Sequence, residues 1–239
     1  MRALERQSLE CFESNTNIRL RPELLRAPTA DAPLLKTETR EFNAMLRIPP
    51  VTKALIIANV AAFLLEMIGG NGLVAQFALW PLGPLFLPWQ PLTYAFLHGS
   101  FAHLFFNMLG LYMFGADLER VWGSRRYLVF YGVSVLSAAI MQLAFAALSG
   151  SNVPAIGASG GVFGLLLAFA MYFPSRMVVL LFPPIPMPAW LFATLYGAIE
   201  LLLGVTGSAA GIAHFAHLGG MVGGYLLLRS WRAPKGRLR

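Results

Sequence analysis

The stretch Asn152-Val-Pro-Ala-Ile-Gly-Ala-Ser-Gly-Gly-Val-Phe-Gly164 is a glycine-rich loop that leads into an apolar helix. Its hydroxyl residue Ser159 has Gly157 and Gly160 beside it, which carry no side chains that could cover the hydroxyl. The serine also lies near a helix N-terminus, where free backbone N–H groups favour negative charge. These features suit a serine nucleophile whose attack creates an oxyanion. Taken alone, they equally suit a small residue in a contact between glycine-rich membrane helices.

The composition indicates a membrane protein. Of the 239 residues, 57% are apolar and only 12% are charged, whereas a soluble domain carries roughly 25% charged residues. The mean hydropathy is +0.63. The net charge of +7 needs no nucleic-acid partner, because the topology of the loops accounts for it. The single Cys11 excludes an intrachain disulfide and a cysteine-based metal site.

The charge pattern predicts an all-α, polytopic membrane protein with six transmembrane helices and both termini in the cytoplasm. The candidate spans are 51–68, 91–116, 127–148, 158–173, 189–205 and 212–228. With this topology, all 18 Lys and Arg residues fall on one side of the membrane. The loops of the opposite side contain none, in agreement with the positive-inside rule. The fourth span covers only about 24 Å of a hydrocarbon core of about 30 Å, so Ser159 should lie below the surface and line a cavity.

We divide the chain into three parts. Residues 1–48 are predicted to be a polar, disordered cytoplasmic tail, 49–230 the six-helix membrane domain, and 231–239 a basic cytoplasmic tail. The sequence Met45-Leu-Arg-Ile-Pro-Pro resembles a natural start before the first span. We therefore expect residues 1–44 to be dispensable.

All four histidines lie in or beside predicted spans, where polar residues are candidates for function. His217 is followed by glycines at Gly-x-x-x-Gly spacing, and the helix after Ser159 repeats this spacing. Two such helices can pack backbone to backbone, which would bring the imidazole of His217 close to the hydroxyl of Ser159. His214 has no obvious role beyond a polar interface.

His103 and Asn107 are four residues apart and share a helix face, from which they could donate hydrogen bonds to an oxyanion. Glu66 is expected at the membrane interface. Asn59 and Glu200 are expected to form interhelical hydrogen bonds. No acid is expected beside His217, so the sequence predicts a Ser–His dyad rather than a triad.

Residues 46–230 resemble the rhomboid intramembrane serine proteases. The matching motifs are His98, His103-x-x-x-Asn107, Gly115-x-x-x-Glu119-x-x-x-Gly123-Ser124-Arg125, Gly157-Ala-Ser159-Gly160 and Ala216-His217-x-Gly219-Gly220. The resemblance implies that Ser159 is the nucleophile, that His217 is the general base, and that His103 and Asn107 stabilise the oxyanion. It also implies cleavage of single-span membrane proteins near the non-cytoplasmic face.

The residues expected to support the site structurally are His98, Gly157, Gly160, Phe163 and Gly220. Two positions depart from the family pattern. Phe163 stands where the family often has a tyrosine stacked on the base, and its ring can still stack. Gln90, after Trp89, stands where the family often has arginine, which leaves the anchoring of that loop open.

The expected partners are transmembrane substrates and the lipid bilayer, with no nucleic acid, no cofactor and no metal; the oligomeric state stays open. The lack of organelle targeting suggests a bacterial inner membrane. One alternative is a catalytically inactive rhomboid-like protein that binds or escorts membrane proteins. A membrane metal site built from the four histidines is another, but no His-Glu-x-x-His helix accompanies them. A transporter is disfavoured because the polar motifs do not repeat between the halves of the chain.

Overall fold

The computed structural model describes residues 47–180, 183–206 and 213–232. From Ile48 onward, these residues form one compact unit. They contain nine α-helices, which are α1 (Pro50–Gly69), α2 (Asn71–Phe77), α3 (Gln90–Thr93), α4 (Phe101–Gly110), α5 (Ala116–Trp122), α6 (Ser124–Ser149), α7 (Ser159–Tyr172), α8 (Ala189–Thr206) and α9 (His214–Arg232). The predicted all-α fold is thereby confirmed. The expected tail 1–48 lies almost entirely outside the described residues, and α9 continues past the expected boundary at residue 230.

Three of the described helices, α1, α6 and α8, are long and apolar enough to cross a membrane. At most 33% of the residues in their most apolar windows are buried within the protein. Apolar side chains such as Ile57, Leu64 and Leu202 therefore point outward, as expected for helices in contact with lipid. Helix α7 is apolar but shorter. The count of six spans and the side on which the termini lie stay predictions.

The core is built around three helices, α6, α7 and α9, each of which packs against the other two. Small residues on these helices permit the close approach. Gly161 of α7 lies against the ring of Tyr131, and Gly219 and Gly223 of α9 lie against Ser137 and its neighbours on α6. The hydroxyl of Ser137 donates to the carbonyl oxygen of Gly219 at 2.8 Å, which adds a polar contact between α6 and α9.

The prediction of one continuous span over 91–116 is wrong at its start. The chain forms the short helix α3, a 3₁₀ turn at Tyr94–Phe96, and a non-helical segment before α4 begins. Ser100 caps α4 by accepting a hydrogen bond from the backbone N–H of His103 at 3.2 Å. This cap fixes the N-terminus of α4 at the position where the sequence pattern predicted an unbroken helix.

Residues 117–126, which lie between the second and third predicted spans, are also mostly helical. A π-helical segment, Leu111–Gly115, joins α4 to α5, so one helical rod runs from Phe101 to Trp122. Gly123, with φ +75°, then turns the chain into α6. Only glycine adopts this backbone conformation readily, so the connection needs a single residue.

Glu119 on α5 joins three helices. Its carboxylate accepts from the backbone N–H groups of Val51 and Thr52 at the start of α1, from the hydroxyl of Thr52, and from the hydroxyl of Ser124 at the start of α6. Burial alone would raise the pKa of Glu119, but the hydrogen bonds from Ser124, Thr52 and Val51 outweigh it and lower the pKa.

The loop after α1 contains α2 and is held by Gln90. The buried amide of Gln90 donates to the carbonyl oxygens of Leu85 and Gln76 at 3.0 and 3.4 Å and accepts from the N–H of Trp80 at 3.3 Å. The indole N–H of Trp89 also donates to the Gln76 carbonyl, at 3.0 Å. The glutamine thus anchors this loop, a role that the sequence had left open.

The segment between the fourth and fifth predicted spans contains an antiparallel pair of strands, β1 (Met177–Val179) and β2 (Pro186–Pro188). Residues Met177, Val178 and Val179 pair with Pro188, Met187 and Pro186, respectively. Two prolines on β2 remove backbone donors, so this two-stranded ribbon cannot be extended on that side.

Candidate active site

Ser159 is the first residue of α7 and follows a tightly held loop. Before it, Ala155 and Leu79 exchange two backbone hydrogen bonds of 2.9 and 3.0 Å, and the N–H of Gly157 donates to the carbonyl of Tyr94 at 2.9 Å. Gly157 has φ +123°, a conformation that L-amino acids with side chains rarely adopt. The loop therefore delivers Ser159 to the helix N-terminus in one defined orientation.

His217 on α9 reaches Ser159 directly: its Nε2 atom lies 2.7 Å from the serine Oγ. The two helices can approach this closely because Gly160 and Gly220 meet at their crossing, where a methyl group on Gly220 would lie 1.9 Å from the carbonyl oxygen of Gly160. The glycine spacing had predicted such backbone contact between the two helices, and Gly160, Gly164 and Gly220 form it.

Phe163 lies one turn after Ser159 and stacks on His217. The two ring centroids are 4.4 Å apart, and the ring planes are inclined by only 4°. This confirms the expectation that phenylalanine can stack at this position. The contact confines the imidazole to one plane beside the serine hydroxyl.

The expectation that no acid lies beside His217 is wrong. Glu200, on α8, has its Oε2 atom 2.9 Å from Nδ1 of His217 and 2.6 Å from Nδ1 of His214. The shorter contact is a hydrogen bond, whereas the longer one lacks the alignment of a hydrogen bond. The predicted interhelical hydrogen bond of Glu200 is therefore confirmed, with His214 as its partner. The only signal in the sequence was an acid within a predicted span.

His103 and Asn107 lie on α4 and line the same cavity as Ser159. The ring of His103 lies against Gly157, where an added methyl group would be 2.7 Å from its Nε2 atom and 3.6 Å from the Ser159 hydroxyl. The side-chain amide of Asn107 donates to the carbonyl of His103 at 2.9 Å, within the same helix. Imidazole and amide donors thus line the side of the cavity that adjoins Gly157.

His98 is buried and packs edge-on against His103, with ring centroids 5.0 Å apart. Its backbone N–H donates to a carboxylate oxygen of Glu66 at 3.0 Å, which ties the non-helical segment before α4 to α1. Asn59, by contrast, does not form the expected interhelical bond among the described residues. Its amide donates to Leu55 of its own helix at 2.8 Å.

A cavity of about 1040 Å³ contains the site. It is lined by Ser159, His217, His103, Asn107 and Glu200, and also by Val178 of the β-ribbon. The carboxyl and imidazole side chains that cluster among the described residues are Glu200, His214 and His217, rather than the four histidines together. Glu200 Oε2 lies 2.6 Å from Nδ1 of His214 and 2.9 Å from Nδ1 of His217. Both distances are shorter than the roughly 3.3 Å that separates two ligand atoms around a tetrahedral zinc ion. This spacing fits hydrogen bonding better than chelation.

Fold and site together define a helical integral membrane protein with a partly buried serine–imidazole pair that lines a cavity. The Rhomboid domain matches residues 87–231, and the chain belongs to the rhomboid family.

Among its relatives, Rhomboid protein 1, mitochondrial, of Saccharomyces cerevisiae is 33% identical over 141 residues, which cover 55% of this chain and 38% of the yeast protein. Rhomboid protease GluP of Bacillus subtilis is 30% identical over 72% of this chain and 33% of its own length. The putative rhomboid protease YdcA of the same species is 28% identical over 79% of this chain and 92% of its own length. The match thus spans only about a third of the first two relatives.

Proposed function

We propose that this protein is an intramembrane serine endopeptidase that cleaves single-span membrane proteins near the non-cytoplasmic face of a bacterial inner membrane. The observation that carries the proposal is the 2.7 Å contact between Ser159 Oγ and His217 Nε2 at the edge of a cavity. A serine hydroxyl is a weak nucleophile until an adjacent base takes its proton, and this contact supplies that base.

In the proposed reaction, Ser159 Oγ bonds to the carbonyl carbon of the substrate while its proton passes to His217 Nε2. The carbonyl oxygen takes the electron pair of the broken π bond and faces the donors of His103, Asn107 and the Ser159 backbone. When the C–N bond breaks, the proton on Nε2 passes to the leaving amine. Water then attacks the acyl group with His217 as base, which releases a carboxylic acid and restores the Ser159 hydroxyl.

The alternative is an inactive family member that binds or escorts membrane proteins. That function would need neither a serine nor an imidazole at these positions, yet this chain has both in contact. The stacked ring of Phe163 further favours catalysis, because a scaffold without chemistry would not need to confine the imidazole of His217.

The test is cleavage of a single-span substrate in liposomes by the wild type and by Ser159→Ala and His217→Ala. Ser149→Ala is the matched control, because Ser149 is exposed and bonds only within its own helix. We expect the first two variants to lose at least 1,000-fold in rate, the control to match the wild type, and EDTA to have no effect. Activity in Ser159→Ala would refute the mechanism. A folded wild type that cleaves no substrate would favour the binding alternative.

A further inference from the structure

One carboxylate oxygen of Glu200 lies between two imidazoles. Oε2 is 2.6 Å from Nδ1 of His214 and 2.9 Å from Nδ1 of His217, and all three side chains are buried. The other ring nitrogen of His217 contacts Ser159. A continuous chain of polar groups therefore runs from the serine through His217 and Glu200 to His214, and it joins α7, α9 and α8.

The other acids of the described residues are engaged elsewhere. Glu66 accepts from the backbone of His98, and Glu119 accepts from the starts of α1 and α6. Asp117 pairs with Arg120 and Arg176. Within the described part of the chain, Glu200 is thus the carboxylate that contacts the imidazole beside Ser159.

The position of this carboxylate has a chemical consequence. His217 can accept a proton from Ser159 at Nε2 only if its neutral ring carries its own proton on Nδ1. An anion beside Nδ1 favours that tautomer and stabilises the imidazolium that forms when Nε2 takes the serine proton. Catalytic hydrogen bonds are often poorly aligned without substrate, and a rotation of the Glu200 carboxylate would align this one.

We infer that Glu200 is a positioning residue, held by His214, that sets the tautomer of His217 and supports its charge during the reaction. The inference rests on the proposed function and extends the serine–histidine pair to a third member supplied by α8. In acylation the proton moves from Ser159 to His217 and on to the leaving amine, in deacylation it moves from water through His217 to Ser159, and Glu200 stays ionised throughout. His214 is the hydrogen-bond donor that fixes the carboxylate.

The experiment compares Glu200→Gln with the wild type, because glutamine keeps the size of the side chain and can still accept from His214 but carries no charge. Thr194→Ala is the matched control on α8, since Thr194 is exposed and bonds only to its own helix. Three quantities are measured in liposomes: kcat and KM for a single-span substrate, and the rate at which a fluorophosphonate labels Ser159. The final extent of labelling counts the folded active sites, and thermal unfolding reports stability.

We expect Glu200→Gln to lower kcat per labelled site by about 100-fold, to slow labelling to a similar degree, and to change KM less than threefold. Thr194→Ala should match the wild type in every quantity. A Glu200→Gln protein with wild-type kcat per labelled site would overturn the inference, whether or not its unfolding temperature falls. An equal loss on treatment of the wild type with EDTA would overturn it in favour of a metal held by these residues. If Ser159→Ala also cleaves substrate, the proposed function itself fails. This result can be told apart from an active Glu200→Gln protein and from a loss of activity with EDTA.

Discussion

Gly220 lies directly against the backbone of Gly160, so close that a methyl group in place of its hydrogen would lie 1.9 Å from the Gly160 carbonyl oxygen. This contact sets the distance between α7 and α9, and these helices carry Ser159 and His217. The space between serine and imidazole therefore depends on two residues that have no side chain.

Gly220→Ala should separate α7 from α9, because the added methyl group meets backbone that cannot move independently of its helix. We expect a loss of about 2 kcal/mol or more in stability and a loss of cleavage activity, measured by thermal unfolding and by substrate turnover. The matched control is Gly132→Ala on α6, where the added methyl group would meet nothing within 4 Å beyond the backbone of its own helix. Equal stability of the two variants would contradict this account of the crossing.

Phe163→Ala should slow catalysis without abolishing it, because His217 would lose the ring that confines its plane. An aromatic contact of this kind contributes about 0.5–1.5 kcal/mol, so we expect a fall in kcat of roughly 3- to 10-fold. Phe163→Tyr should keep the stacking and most of the activity. Phe105→Ala, which alters an exposed ring, is the control. A Phe163→Ala protein as active as the wild type would show that stacking does not position the imidazole.

Glu119 should make stability sensitive to acid. Its pKa in the folded protein lies below the ordinary value of 4.5, so its stabilising effect is complete above that pH and is lost as the pH falls through the lowered value. We expect the unfolding temperature of the wild type to fall below about pH 4.5 and that of Glu119→Gln to be lower at pH 7 but to fall less on acidification. Asp117→Asn, on the same helix but at an exposed ion pair, should resemble the wild type. If the unfolding temperatures of Glu119→Gln and the wild type fell equally as the pH was lowered, Glu119 would not be the source of the acid sensitivity.

Gln90→Ala should loosen the loop after α1, because three hydrogen bonds of a buried amide are lost. We expect about 2 kcal/mol of destabilisation and faster proteolytic nicking between α2 and α3. Gln76→Ala is the control: Gln76 contributes its backbone carbonyl to the same network, and its own side chain is exposed. Nicking at equal rates in the two variants would show that Gln90 does not anchor the loop.

The parts of the fold that depend on apolar runs and on the spacing of residues within one helix could be predicted from the sequence. Apolar runs located α1, α6, α7 and α8 to within a few residues, and glycine spacing predicted the backbone contact between α7 and α9. The break before α4 was missed because the surrounding residues are apolar, and only the Ser100 cap and the bond from His98 to Glu66 define it.

Glu200 could not be placed beside His217 from sequence, because the reach of its side chain depends on how α8 is rotated against α9. Spacing within one helix predicts which residues share a face, but it contains no information on the rotation of a neighbouring helix. The β-ribbon was missed for a related reason: its two strands are only three residues long each and depend on pairing across a turn.

The π-helical segment Leu111–Gly115 has a consequence for how this protein can evolve. A π turn holds one residue more than an α turn, and each residue of an α-helix advances the side-chain direction by about 100°. The segment thus takes up one extra residue, without adding a turn, between Asn107, which lines the cavity, and Glu119, which receives α1. Deleting a single codon here would convert the π turn into an α turn and leave the two ends at nearly the same relative rotation, whereas a deletion within α4 or α5 would turn one end by about 100° and separate the cavity or the junction from its partners. The π turn is therefore the place in this rod where the chain can best change its length by one residue.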